Sequence, residues 1–245
     1  MFLSVWHAEH LKLRHSPMWI AFFLLPLIPA FFGTVNYLGN VTILKDRWYS
    51  LWTQHTLFSC YFFLPLVIGV YCAYLWRLEH SGYNWNLMLT APVHRSMLVL
   101  AKLANAAVLT ALVIVWTSVL YIAAGLLCGF GADTIPWKEI VEWIGGGIAG
   151  GITICAVQMF LALVIRSFAV SVGMALLGGI SGLAMLSKGY PLLNPYALLC
   201  LGMEANNSTA QNTNPLGFGI SCLCFFVLFT GLSVGYLRHR DAKTG

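Results

Sequence analysis

The sequence predicts an all-α integral membrane protein with six transmembrane helices, and two observations lead to that fold class. Apolar residues make up 59% of the 245-residue chain and charged residues only 9%, which is more apolar material than a water-soluble core can bury. The chain also holds six apolar stretches of about 20 residues, the length that a helix needs to cross a bilayer. These stretches, which we expect to form one domain over residues 1–245, are 18–38, 57–76, 103–128, 143–165, 168–187 and 216–237.

The N-terminal arm, residues 1–16, is expected to form a short amphipathic helix on the membrane surface. Its apolar side chains share helical spacing and alternate with basic ones: Phe2, Leu3, Trp6 and Leu13 against His7, Lys12, Arg14 and His15. Glu9 and His10 interrupt the apolar stripe, so a solvated basic arm is the alternative. Farther on, Pro26 and Pro29 are expected to kink the first span.

The basic residues predict that both chain termini face the cytoplasm. With the N-terminus inside, nine of the 13 Lys and Arg residues fall on the cytoplasmic side: Lys12, Arg14, Arg77, Arg95, Lys102, Arg166, Arg238, Arg240 and Lys243. The other four, Lys45, Arg47, Lys138 and Lys188, fall on the external side. Cytoplasmic loops collect Lys and Arg, so this orientation and a multi-pass location in the plasma membrane are favoured.

Two features indicate how the helices pack near the external side. Residues 189–203 are apolar but too short to cross a bilayer, and Pro191 and Pro195 interrupt them, so a re-entrant or interfacial segment is expected before the last span. Spans four and five carry small residues at four-residue spacing, which allows close helix contact. We expect these two spans to pack against each other through Gly146, Gly150, Gly178 and Gly182.

The central parts of the six predicted spans contain no Asp, Glu, Lys, Arg or His. Ion-coupled carriers and intramembrane enzymes need such groups, so both classes are disfavoured. Gln158 and Asn105 are the deepest strongly polar side chains and are expected to bond between helices. The seven cysteines have no clustered His or Cys spacing and are interpreted as small buried hydrophobic residues. We therefore expect no catalytic residue and no metal site.

The cytoplasmic segment 77–102 combines charged residues with aromatic ones. Tyr83 and Trp85 lie among polar residues, between Glu79 and His80 on one side and Pro92 and Arg95 on the other. Such a segment can either lie on the inner leaflet or place an aromatic anchor in a pocket of another protein. Periodicity does not decide between these alternatives, and Glu79 and Arg95 can also be ordinary charges that reach the lipid headgroups.

The chain resembles the ABC-2 type permeases, and among them it is most similar to the permeases of lantibiotic-immunity exporters. The resemblance rests on the arm Ala8-Glu-His-Leu-Lys-Leu-Arg-His-Ser-Pro17 and on a loop that begins at Glu79 and ends in Ala91-Pro-Val-His-Arg95 and Ala101-Lys102. The layout of six spans also agrees. In the commonest ABC-2 pattern Gly-Thr follows shortly after the glutamate, whereas this chain has His80-Ser-Gly-Tyr-Asn-Trp.

The resemblance implies a subunit without its own ATPase, which pairs with a second permease copy or paralogue and with a dimer of ABC ATPase subunits. ATP and Mg²⁺ would bind to the ATPase and no cofactor to this chain. The arm residues Glu9, Lys12 and Arg14 and the loop residues Glu79, His80, Tyr83, Trp85, Pro92 and Arg95 would contact that ATPase. The cargo would be an amphipathic peptide removed from the bilayer, which implies lantibiotic immunity or antimicrobial peptide resistance by export.

The residues themselves leave another function class open. A sensing or assembly subunit that does not transport would use the same cytoplasmic loop to bind a protein partner. No phosphate-binding loop is present in the sequence, so this chain needs a partner to supply energy if it transports. No nucleic-acid partner is expected.

Overall fold

The computed structural model describes residues 2–14, 16–80, 94–205 and 214–239, and no strand occurs in these ranges. The described α-helices, numbered here in chain order, are α1 Phe2–Leu11, α2 Met18–Leu24, α3 Leu27–Gly39, α4 Arg47–Phe58, α5 Leu64–His80, α6 Arg95–Leu127, α7 Trp137–Val164, α8 Phe168–Ser187, α9 Pro195–Gly202 and α10 Pro215–His239. A π-helical turn, Ser59–Phe63, joins α4 to α5. This architecture confirms the predicted all-α membrane fold.

Six helical segments are long and apolar enough to cross a membrane, in agreement with the sequence. The first combines α2 and α3, which break at Pro26, while Pro29 lies within α3. Only one of the two prolines therefore interrupts the helix. The second combines α4, the π turn and α5, and α6, α7, α8 and α10 are the other four.

The second transmembrane helix begins at Arg47, within the stretch that the sequence assigned to an external loop and ten residues before the predicted start of the span at residue 57. Trp48, Leu51, Trp52 and His55 recur at helical spacing on α4 and are all buried. The polar residues between them, Ser50, Thr53, Gln54 and Thr56, are buried too, and their polarity concealed the helix from a search for apolar stretches. The second and third transmembrane helices are consequently longer than the apolar stretches predicted for them, since α6 likewise begins at Arg95 rather than at residue 103.

The bundle has two distinct ends. At the α1 end, α5 finishes, α6 begins and α10 finishes, and the His80 ring lies 3.1 Å from the carbonyl oxygen of Ala162 near the end of α7. At the far end, α6 finishes, α7 begins and the short helix α9 lies. Sequence analysis assigns the α1 end to the cytoplasm, and that assignment stays a prediction.

Helix α1 confirms the predicted short N-terminal helix, but the expected apolar stripe does not form its buried face. Leu3 is exposed on α1, whereas Leu13, just after it, is fully buried. Glu9, which interrupts the stripe in the sequence, is 3% exposed. The helix contacts α6, so it is docked on the protein through a charged residue.

Helix α9 is the predicted re-entrant segment. Asn194 starts it by accepting hydrogen bonds from the backbone N–H groups of Tyr196 and Ala197. Leu198 and Leu199 are fully buried, so the helix inserts among the longer ones without crossing the bundle. Backbone at membrane depth is stable when protein surrounds it in this way.

The end of α9 has an unusual backbone conformation. Glu204 donates its N–H to the Leu201 carbonyl and Ala205 donates to the Cys200 carbonyl, the pattern of a Schellman motif. Glu204 adopts the left-handed conformation with φ 47°, a position that glycine normally occupies. The carboxylate of Glu204 accepts a hydrogen bond of 3.1 Å from the Trp143 indole, which compensates this local cost.

The four glycines predicted to join spans four and five contact α9 instead of each other. Added β-carbons at Gly146 and Gly150 would overlap backbone atoms of Gly202 and Leu199, and those at Gly178 and Gly182 would overlap Tyr196 and the backbone of Ala197. The small residues therefore form a slot on α7 and α8 that admits the re-entrant helix. Sequence analysis identified the close approach but not the helix that makes it.

Replacing Gly150 by leucine should destabilise the protein by about 1–3 kcal/mol or more, because the new side chain would displace the α9 backbone. A β-carbon at Gly150 would lie 2.6 Å from the Leu199 backbone, whereas one at Gly145 would have no neighbour within 4 Å. Gly145→Leu is therefore the matched control. We expect the thermal unfolding midpoint in detergent to fall only for Gly150→Leu, and equal midpoints for the two variants would contradict the slot.

The predicted orientation can be tested with single cysteines in a chain that lacks the seven native ones. Thr42 lies in the turn after α3 at the far end, and Arg166 lies between α7 and α8 at the α1 end, and both are exposed. A membrane-impermeant thiol reagent should label Thr42→Cys in intact cells and Arg166→Cys only after permeabilisation. The reverse pattern would invert the topology.

Candidate functional site

Four charged side chains form a buried cluster at the α1 end, which we call the charge tetrad: Glu9, Lys12, Glu79 and Lys102. The Lys102 ammonium nitrogen lies 2.6 Å from Glu9 Oε2 and 2.9 Å from Glu79 Oε1. Lys12 lies 2.6 Å from Glu9 Oε1 and 2.7 Å from Glu79 Oε1. Each carboxylate thus contacts both ammonium groups, and the formal charges sum to zero.

Three separate helices contribute to the tetrad. Glu9 on α1 and Lys12 just after it are three residues apart and therefore lie on one helical face. Glu79 is in the last turn of α5, and Lys102 lies two turns into α6. The salt bridges consequently fix α1 to the point where α5 ends and α6 begins.

Lys102 is the central member of the tetrad. It is 0% exposed, and its ammonium group donates to both carboxylates and to the Leu75 carbonyl oxygen at 2.9 Å. These three bonds use all three donors of the ammonium. Its nitrogen also lies 5.2 Å from the centre of the Trp76 ring, a cation–π distance.

Lys12 closes the tetrad at its more exposed side, where its side chain is 38% exposed. Partial burial lowers the pKa of the Lys12 ammonium, but its hydrogen bonds with Glu79 and Glu9 raise the pKa by more. The pKa of Lys12 is therefore above its ordinary value, and Lys12 stays charged at physiological pH.

Asn105 provides a second attachment of α1 to α6. Its amide nitrogen donates to the Trp6 carbonyl at 3.3 Å, and its oxygen lies 3.1 Å from the His10 ring nitrogen. Gln158, the other deep polar residue in the sequence, donates to the Tyr196 hydroxyl of α9 at 2.6 Å. Both side chains therefore bond between helices: Asn105 joins α6 to the short helix α1, and Gln158 joins α7 to the short helix α9.

The described residues that flank the segment 81–93 are each bonded to a different helix. On the α5 side, Glu79 contacts α1 and α6 through the tetrad, and His80 lies against the α7 carbonyl of Ala162. On the α6 side, the Arg95 guanidinium donates to the carbonyls of Leu237 and Arg238, at 2.6 and 3.0 Å. Arg95 thereby caps the C-terminal turn of α10.

The residues predicted to contact a partner protein differ in exposure, and some of them lie outside the described part of the chain. Tyr83, Trp85 and Pro92 lie outside the described residues. Arg14 is exposed beside the tetrad, whereas Glu9 and Glu79 are buried within it and face other helices. A direct contact between a partner protein and these two carboxylates would require α1 to move.

His55 shows that the second transmembrane helix, which begins with α4, is less uniformly apolar than the sequence suggested. It is fully buried on α4, and its Nε2 atom lies 2.9 Å from the Thr34 hydroxyl oxygen. Because that hydroxyl donates to the Ala30 carbonyl, it accepts from the ring, so Nε2 carries the proton. Sequence analysis missed this residue because it placed His55 in an external loop.

The arrangement at the α1 end is suited to holding helices together and to transmitting their displacement. In the described part of the chain, no three His, Cys, Asp or Glu side chains come together as a metal site. The tetrad's carboxylates are saturated by two ammonium groups, so they present no unpaired charge to a ligand.

Comparison with known proteins finds a family match for this chain. A family model described as ABC-2 family transporter protein matches residues 6–182, which is more than half of the chain and includes the whole tetrad. Among curated proteins, none matches the chain.

Replacing Lys102 by methionine should destabilise the protein strongly, by about 3–5 kcal/mol, because two buried carboxylates would then share a single ammonium. Lys138→Met is the matched control, since the Lys138 side chain is 83% exposed and its contact with Glu142 is 3.9 Å long. A surface pair of this kind contributes at most about 1 kcal/mol. The thermal unfolding midpoints of the two variants in detergent measure both losses of stability.

A second substitution distinguishes lost charge balance from lost packing. Adding Glu79→Gln to Lys102→Met restores neutrality and should recover part of the stability, because Lys12 and Glu9 still pair. If the double variant is as unstable as the sum of the two single variants, the four charges do not act as one network.

Proposed function

We propose a peptide-export role for this chain from the premise that it belongs to the ABC-2 family of transporter proteins. The chain is a membrane permease component of an ABC transporter, and it is not itself the catalytic component. The family implies an ABC ATPase as partner. In the proposal, the ATPase is a dimer that binds ATP and Mg²⁺, and two permease subunits, identical or paralogous, span the plasma membrane.

The ATPase docks at the α1 end, on the segment 81–93 and the exposed side of the arm. The observation that supports this site is the set of bonds at the two ends of the segment. Glu79 and His80 precede it and Arg95 follows it closely, and together they contact α1, α6, α7 and α10. A partner that displaces this segment therefore acts on most of the bundle at once.

The tetrad transmits the displacement from α5 to α1. Glu79 shares its carboxylate between Lys12 and Lys102, so α5 and α6 cannot separate from α1 without breaking short charged hydrogen bonds. Glu79 consequently acts as a positioning residue inside the permease. Trp85 and Tyr83 supply the aromatic anchors for the ATPase.

The cargo in this proposal is a cationic, membrane-active peptide that leaves the membrane on the external side. The exposed acidic residues of the far end support this class: Asp46, Asp133, Glu139 and Glu142. Exposed basic residues at the same end, Lys45, Arg47, Lys138 and Lys188, balance this charge, so each acid offers a local contact to a cationic peptide rather than part of a negative field. The resemblance to lantibiotic-immunity permeases points to the same class and to a role in self-protection or resistance.

Truncating Trp85 should weaken ATPase association by about 2 kcal/mol, the usual cost of removing a buried aromatic anchor. Arg95→Ala should preserve association but reduce ATP hydrolysis coupled to export, because it releases the end of α10. Arg166→Ala, an exposed change at the same end, is the control. The measurements are pull-down of the ATPase, peptide-stimulated ATP hydrolysis and survival of cells exposed to a lantibiotic.

The outcomes separate the proposed steps. Association that is unchanged in Trp85→Ala removes the segment 81–93 as the docking site. A wild-type complex that binds the ATPase without peptide-stimulated hydrolysis or protection favours a sensing or assembly subunit. Stimulation by an uncharged lipid-like compound but not by a cationic peptide would replace the proposed cargo class.

A further inference from the structure

Pro65 lies in the middle of the second transmembrane helix, which runs from Arg47 to His80. A proline inside a helix has no N–H to donate, and its ring collides with the carbonyl four residues earlier, which here belongs to Tyr61. The chain accommodates the proline with the π turn Ser59–Phe63, after which α5 begins. The second transmembrane helix is therefore two α-helical halves, α4 and α5, joined by an irregular turn.

The hydrogen bonds along the backbone are weakened at this turn. The Leu64 N–H donates to the Ser59 carbonyl, five residues back, instead of to the Cys60 carbonyl, four residues back. The nearest donor to the Cys60 carbonyl is the Cys200 thiol at 3.8 Å, and a thiol is a weak donor. Among the described residues, the buried Ser59 hydroxyl has no hydrogen-bond partner. Bending at this turn therefore breaks fewer strong bonds than bending of a regular helix would.

Helix α8 presents small residues to the same part of the second transmembrane helix. A β-carbon at Gly179 would overlap the Tyr61 carbonyl oxygen and would lie 3.1 Å from Pro65 Cγ. One turn farther along both helices, Gly69 of α5 meets the β-carbon of Ala175. Surfaces without long side chains do not interlock, so α5 can slide along α8 by the small displacements typical of packed helices.

The first half, α4, belongs to the far end of the bundle. It packs mainly on α3 and α6. The Trp52 indole donates to the Met203 carbonyl at 2.8 Å, and the Trp48 indole donates to the Thr134 hydroxyl at 2.9 Å. These two bonds attach α4 to the end of α9 and to the turn that precedes α7.

The second half, α5, belongs to the α1 end. It packs mainly on α7 and α8. Its Leu75 carbonyl accepts from the Lys102 ammonium at 2.9 Å, and Glu79 forms salt bridges with both lysines of the tetrad. The two halves of one transmembrane helix are therefore attached to different parts of the bundle, on either side of the turn with the weakest backbone bonding.

We propose that the π turn Ser59–Phe63 is a hinge about which α5 pivots relative to α4. A hinge is a short segment that absorbs the backbone change between two bodies, and the second transmembrane helix provides both bodies. Displacement of the α1 end then leaves the aromatic contacts of the far end in place. The hinge follows from the bonding of this helix alone and does not depend on the proposed function.

Helix α6 provides an internal reference for the test. It is 33 residues long and contains no proline, and it is continuous from Arg95 to Leu127. A pair of labels at the ends of α6 therefore reports an uninterrupted helix in the same bundle. Residues 47 and 77 of the second transmembrane helix and residues 97 and 127 of α6 are equally far apart in sequence.

The test measures the distance between two spin labels by pulsed electron paramagnetic resonance, on the full-length chain in lipid nanodiscs. The labels are attached at Arg47→Cys and Arg77→Cys or, for the reference, at Met97→Cys and Leu127→Cys. Serine replaces the native cysteines that are not fully buried, which are Cys128, Cys222 and Cys224. Both pairs should lie about 45 Å apart, and the distribution across the hinge should be about twofold wider.

Pro65→Ala separates a hinge from a rigid bend. It restores the missing N–H and removes the ring collision, so the distance distribution should narrow to the width of the α6 pair. Pro29→Ala is the matched control, because Pro29 lies in the first turn of α3, where a proline removes no helical bond. Equal widths for the two wild-type pairs, or a width that Pro65→Ala leaves unchanged, would overturn the hinge.

Hydrogen exchange of the wild-type chain provides a second test that requires no substitution. Amides of residues 60–66 should exchange about tenfold faster than those in the middle of α6, as expected where one helical hydrogen bond is lost. Exchange at the α6 rate would also contradict the proposal.

Discussion

Burial of Lys102 is the constraint on which the rest of the α1 end depends. An ammonium group with no exposure needs a partner for each of its three donors, and Glu9, Glu79 and the Leu75 carbonyl supply them. The two carboxylates then need a second cation, which Lys12 provides. One buried charge thus determines where α1 docks, where α5 ends and how α6 begins, because no member can leave without exposing an unbalanced charge in the interior.

The far end is held by contacts of another kind. Trp52 and Trp143 stack, Gly146 and Gly150 admit the α9 backbone, and Glu204 closes that helix in a left-handed conformation. Packing of this type resists compression. The second transmembrane helix connects the two ends, since Glu79 lies at one extremity and Trp52 near the other. Its π turn at Ser59–Phe63 contacts the re-entrant helix α9, since the Cys200 thiol lies 3.8 Å from the Cys60 carbonyl oxygen.

Hydropathy was sufficient for the six spans and the re-entrant segment, because lipid restricts a chain to helices of known length. It failed where polar residues are buried. Glu9, Glu79 and Lys102 are far apart in the sequence, so their pairing follows only from the packing of α1, α5 and α6. The glycines on α7 and α8 indicated close contact, but small residues do not encode their partner, and that partner is α9. Trp48 and His55 were missed because α4 also carries polar residues that are nonetheless buried, namely Ser50, Thr53, Gln54 and Thr56.

The polar contacts at the α1 end differ in the energy with which they join one helix to another. Two unit charges 4 Å apart attract by about 4 kcal/mol at an effective dielectric constant of 20, and doubling the distance halves that energy. Three such pairs join α1, α5 and α6, and the fourth, Lys12–Glu9, lies within the N-terminal arm. By contrast, one hydrogen-bonding contact joins His80 to α7 and two join Arg95 to α10, each contributing about 0.5–3 kcal/mol. A force on the segment between α5 and α6 therefore meets its strongest polar restraint between α1, α5 and α6, while α7 stays joined to α5 and α6 by packing.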